Sequence, residues 1–251
     1  MCRYGAGMND TETTTHDQHA GRIGGIALIV FAVAGIAWFY FATAAPRLGF
    51  DDTDDPSVML RFIRTYPDVF IYLGLAMITM GLSLIVGALA VAETLGTRVS
   101  ASALKSISAF ALVAAAFYLL GGAVHINASG PLLHMADLRE AWGEGAFLAF
   151  QVTSQALLTM GLFMLSLWAV CLSVIGWRTG ALPVGLCALG ILPAFRLIAS
   201  ALGPLDLMPD GTWFLSLVSL PGILLWCLIL GLVLLRRGFV SATPLAADAA
   251  T

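Results

Sequence analysis

Val69–Ala92 reads VFIYLGLAMITMGLSLIVGALAVA, 24 residues without a charge. Wound as an α-helix at ~1.5 Å per residue, it extends ~36 Å, more than the ~30 Å hydrocarbon layer of a bilayer. It is a membrane span, and it sets the class of the chain. Five further runs meet the same criterion: Ile23–Ala45, Ala103–Val124, Ala146–Trp177, Leu182–Leu202 and Trp213–Leu235. The expected fold is all-α, a polytopic membrane protein of six transmembrane helices.

Composition agrees, with 59% hydrophobic and 11% charged residues, a balance that a soluble domain of this length cannot carry without exposing apolar surface. The domain reading is a cytoplasmic tail over residues 1–21, expected to be disordered, a six-helix transmembrane unit over 22–238, and a second such tail over 239–251. The first stretch lacks the pattern of a cleavable signal. A net charge of −3, with basic residues scattered through short loops, leaves no basic face for nucleic acid. Cys2, Cys171, Cys187 and Cys227 form no C-x-x-C pair and read as small apolar residues.

Orientation follows the basic residues. Arg3, Arg22, Arg98, Lys105, Arg178, Arg236 and Arg237 fall on one side, against Arg47, Arg61, Arg64 and Arg139 on the other, seven to four. Both termini are therefore expected in the cytoplasm, with the chain multi-pass in the cell membrane. The opposite, outer side carries two long loops and most of the acidic residues. In the first loop Asp55-Pro56-Ser57 supplies an N-cap and an N1 proline for a short interfacial helix. In the second, Met135, Leu138 and Trp142 alternate with Asp137, Glu140 and Glu144, which predicts another helix lying on the membrane surface.

His125, His134 and Asp137, with Glu140 and Glu144, offer imidazole and carboxylate ligands, but their spacing matches no zinc-enzyme signature and the bland reading is an amphipathic helix facing water. Asp51-Asp52-Thr53-Asp54-Asp55 lacks the glycine and terminal glutamate of a calcium loop. Asn127-Ala128-Ser129 has the form of a glycosylation acceptor and is assigned no role. Haem would need histidine pairs within the spans. Retinal would need a lysine inside one, and Lys105, the only lysine, sits at a helix end. No cofactor is expected.

Arg196 is the one charge well inside a predicted span, where it costs roughly 2.5–3.5 kcal/mol unless compensated. Gln151 and Gln155 reach a similar depth on the preceding helix and share a face, offering amide oxygens to a guanidinium. Pro193 and Pro221 are expected to free the carbonyls of Leu189 and Leu217. Tyr72 and Tyr118 complete the expected polar pocket. Its partners would be membrane lipid and an anionic small ligand or lipid headgroup entering from the outer side.

From the fourth run onward, the turn Trp177-Arg178-Thr179-Gly180-Ala181-Leu182-Pro183, the stretch Gly185–Gly190, and the helix from Pro221-Gly222-Ile223 to Arg236-Arg237-Gly238-Phe239 resemble an uncharacterised bacterial family of six-to-seven-helix membrane proteins. That family is a domain of unknown function. The resemblance implies topology and a bacterial inner membrane, with no reaction attached. The functional reading is a non-enzymatic ligand-binding, sensor or accessory protein. The alternatives are a small secondary transporter built around Pro193, Pro221 and Arg196, and a membrane-embedded metallohydrolase using His125 and His134.

Overall fold

The computed structural model describes residues 9–96, 99–195, 197 and 213–240, with side chains placed from His19 to Arg236 apart from 97–98, 196 and 198–219. Its elements are α1 (Asn9–Ala42), α2 (Ala44–Arg47), α3 (Pro56–Thr65), α4 (Asp68–Leu95), α5 (Ala101–Leu138), α6 (Glu140–Thr179), α7 (Val184–Leu189) and α8 (Trp213–Val240). No strand occurs among the described residues.

Four helical segments are long and apolar enough to cross a membrane: His19–Ala42, Asp68–Leu95, Ala101–Leu138 and Glu140–Thr179. Leu220–Arg236 of α8 is a shorter apolar helix. Among the described residues six uninterrupted spans are not seen. The fifth expected run begins as the six-residue α7 and breaks into turns at Gly190, where Ile191 and Leu192 donate to the carbonyls of Ala188 and Leu189 at 3.2 Å. Pro193 has no N–H to continue an α-helical ladder. The Leu189 carbonyl, expected to be free, accepts from Leu192 instead.

The helices close a ring: α1 packs on α4, α4 on α5, α5 on α6, α7 bridges α6 and α8, and α8 returns to α1. Lipid tails are as apolar as leucine, so close backbone approach, rather than a hydrophobic drive, holds such helices together. Gly74 and Gly122 put α4 against α5 so closely that a Cβ on either would lie 2.6 Å from the other's carbonyl oxygen. Gly25 and Gly231 do the same between α1 and α8, at 2.7 Å. At the end of α6, Gly180 takes φ +64°, the left-handed conformation that reverses the chain and folds Leu182 back onto Gly176.

At 38 and 40 residues, α5 and α6 would be ~57 and ~60 Å long, well beyond a ~40–45 Å bilayer with its headgroups. The excess builds a cap. The surface-lying helix expected around Met135–Glu144 is absent; α5 instead runs through Pro131 to Leu138, Arg139 alone is extended, and α6 starts at Glu140. The joint is tight because Gly143 abuts Ala136, where a Cβ would be 2.5 Å from the Ala136 Cβ. The other expected outer helix is present as α3, with the Asp55 carboxylate accepting from the Ser57 N–H at 2.8 Å and Pro56 opening the helix. Helical backbone begins at Asn9, inside the stretch expected as a tail.

Candidate functional site

At the capped end a second apolar core, separate from that of the ring, joins Ala44 and Ala45 of α2, Leu60, Phe62 and Ile63 of α3, Phe70 of α4, Ala128 and Leu132 of α5, and Phe147 of α6. The Arg64–Asp137 ion pair links α3 to α5 across its surface. Both side chains are more than half exposed, so the pair contributes ~0–1 kcal/mol, whereas emptying the position of Phe62, 2% exposed, would cost ~3–5 kcal/mol. Packing holds the cap.

His125 lies under this cap. Its Nδ1–H donates to the Gly121 carbonyl at 2.8 Å, and its ring packs against Phe70 and Phe150, centroids 6.1 and 5.2 Å away. His134 is nine residues further along the same helix, ~13 Å by helical rise, while two imidazoles sharing an ion must each come within ~2.1 Å of it. Asp137 is engaged by Arg64. Among the described residues no three metal-ligating side chains converge.

Of the residues expected to line a polar pocket, Gln151 is half-buried and Gln155 exposed, one turn apart on α6. Arg196 lies outside the described residues. Tyr118 is in the middle of the ring, fully buried, its ring edge-on to Phe31 at 6.1 Å. Tyr72 faces α1 and stacks on Phe41 at 5.2 Å. The two tyrosines thus occupy different surroundings.

Two arrangements lay outside the sequence reading. The first fills the ring: Phe31, Tyr118, Trp168 and Trp226 are each 0% exposed, and the two indoles meet edge-to-face at 5.3 Å. Phe31 is nine residues past Arg22, Trp168 ten before Arg178, Trp226 ten before Arg236 and Tyr118 thirteen past Lys105. By helical rise they stand ~13–20 Å from the uncapped end, about the middle of a ~30 Å layer. The second is a lateral groove of about 400 Å³ between α1 and α4, walled by Ile29, Val33, Ala37 and Leu75 and closed above by Phe41 and Tyr72. An excess of aromatic residues at one helix end was the available signal for the second. Nothing in the sequence marks the Trp168–Trp226 meeting, because the two residues are 58 positions apart. Another groove, about 360 Å³ between α5 and α6, includes Asn127 and Thr153, whose side chains bond back to the carbonyls of Ala123 and Ala149 at 2.8 Å.

The model of a domain of unknown function, DUF4386, matches residues 23–238. The chain belongs to the DUF4386 family. The match spans the whole ring and cap, well beyond the C-terminal part whose turns and prolines carried the resemblance. No curated protein and no solved structure matches the chain. For this DUF4386 protein the family fixes no reaction.

Proposed function

We propose that the protein is a non-enzymatic ligand-binding membrane protein whose working surface is the capped half of the bundle. The capped end faces outward and both termini are cytoplasmic, as the seven-to-four distribution of basic residues supports. Six crossings complete the topology, the fifth broken at Gly190, and the membrane is a bacterial inner membrane. The observation that carries the reading is the filled midplane: with Phe31, Tyr118, Trp168 and Trp226 packed into the ring, a polar ligand entering from outside is held and not passed through. That favours retention over the transporter alternative.

The ligand is anionic, a small molecule or a lipid headgroup. Arg196 supplies the charge, and Gln151 and Gln155 orient its guanidinium through their amide oxygens. Native mass spectrometry of the purified chain tests this. A retained anionic adduct is expected, lost in Arg196→Leu and weakened in Gln151→Leu, with both variants keeping the parent's thermal unfolding. An adduct-free parent, or an Arg196→Leu protein that keeps every anionic adduct of the parent, contradicts the assignment.

A further inference from the structure

The α1/α4 groove continues upward into a chain of rings that ends on a cation. Tyr72 stacks on Phe41 at 5.2 Å, and Phe41 meets Tyr40 edge-on at 5.4 Å. The guanidinium of Arg47 lies over the Tyr40 ring, 3.8 Å from its centroid. Tyr40 is three residues past Ala37 and seven past Val33, so it stands on the same face of α1 as the groove wall.

Arg47 is held rather than loose. Its Nε donates to the Thr43 carbonyl at 3.0 Å, and its Nη2 donates to the Tyr40 carbonyl. Two of the five guanidinium N–H donors are thereby used, which leaves three. No carboxylate pairs with Arg47 among the described residues. Of the other arginines around the cap, Arg64 is paired with Asp137 and Arg139 stands over Trp142, while Arg61 is on α3, beside Asp55.

Depth agrees with charge. Tyr40 is 18 residues past Arg22 and Tyr72 is 21 before Glu93, ~27 and ~31 Å by helical rise. Both stand at the boundary of a ~30 Å hydrocarbon layer, where tyrosine collects. Below them the groove runs 12 residues, from Ile29 to Phe41, ~18 Å, close to the ~15 Å thickness of one leaflet. Its wall is apolar in effect, because the Thr79 hydroxyl is spent on the Leu75 carbonyl at 2.8 Å.

We propose that this is a phospholipid site: one acyl chain lies in the α1/α4 groove, and the lipid phosphate accepts from the free N–H groups of Arg47 above the Tyr40–Phe41–Tyr72 ladder. A planar, preorganised guanidinium suits a phosphate oxygen pair, and the ladder sets its height. The proposal rests on the membrane reading of α1 and α4 and is separate from the Arg196 pocket.

The test is native mass spectrometry of the full chain, delipidated in detergent and titrated with phosphatidylglycerol or with diacylglycerol of the same acyl chains. One phosphatidylglycerol should bind saturably, about tenfold more tightly than diacylglycerol, the factor a charge-assisted hydrogen bond supplies. Arg47→Gln should erase that preference. Val33→Trp, at a position 58% exposed and so tolerant of bulk, should weaken both lipids by filling the groove. Arg196→Leu should leave this adduct in place, which separates the two sites. The proposal is overturned if Arg47→Gln keeps the preference, if Val33→Trp binds as the parent does, if binding never saturates, or if Arg196→Leu abolishes the adduct.

Discussion

Gly190 shows how much can hang on one missing methyl. A Cβ there would lie 1.9 Å from Ser173 Oγ and 2.5 Å from Trp226 Nε1, so the broken fifth run reaches the ring only because this residue has no side chain. Gly190→Ala should destabilise the protein by ~1–3 kcal/mol, the usual cost of overpacking, read as earlier thermal unfolding in detergent. Adding Ser173→Ala should recover part of that loss, since the worst contact goes while the indole contact stays. A Gly190→Ala protein as stable as its parent would show that the turn is not packed this way. At this scale the sequence was partly legible. Pro193 marked the break, but the tight approach of Gly190 to two residues of other helices has no local signature. Tyr72 and Tyr118 were both picked out by polarity and position, yet periodicity could not tell which neighbour each would meet, and one is stacked at a helix end while the other is locked in the core.

Among the elements, α3 was the most readable, because capping is local chemistry: Asp55, Pro56 and Ser57 specify its start without help from the fold. The Asp55 carboxyl is held below its ordinary value of 3.8, chiefly by its hydrogen bonds from Ser57. A depressed folded-state pKa means that the cap's contribution is present above the ordinary value and lost as pH falls through the folded one. Protection of the amides across residues 56–65, taken relative to intrinsic exchange at each pH, should therefore fall between pH 5 and pH 3, and Asp55→Ala should show the lowered protection at both pH values. Equal exchange in parent and variant at pH 5 would remove the cap from the account. The second outer segment departs from its expected surface helix for the opposite reason. Its apolar and acidic stripes fit a surface helix equally well as the joint of a long hairpin, and only the packing of Leu132 and Phe147 in the second core, with Gly143 on Ala136, decides between them. Pro131 did not stop α5 because the core on either side of it keeps the helix together.

Over the whole molecule, hydrophobic run length gave the class and the long helices directly, since crossing a bilayer is a demand that each helix meets alone. Ring closure by α1 and α8, and the plug of Phe31, Tyr118, Trp168 and Trp226, depend on contacts between distant positions and stayed hidden. The plug is what separates a binder from a transporter, so it is also where the account is most exposed. The measurement is labelling by a membrane-impermeant maleimide in intact and in inverted vesicles, using a chain whose own cysteines are replaced and single cysteines are placed at Asp52, Gln151, Leu165 and Ser241. Asp52→Cys and Gln151→Cys should react only from the outer side, Ser241→Cys only from the cytoplasmic side, and Leu165→Cys, 0% exposed one turn from Trp168, from neither. Reaction of Leu165→Cys from either side would mean a water path through the midplane, and would contradict the reading of the protein as a closed, ligand-holding bundle.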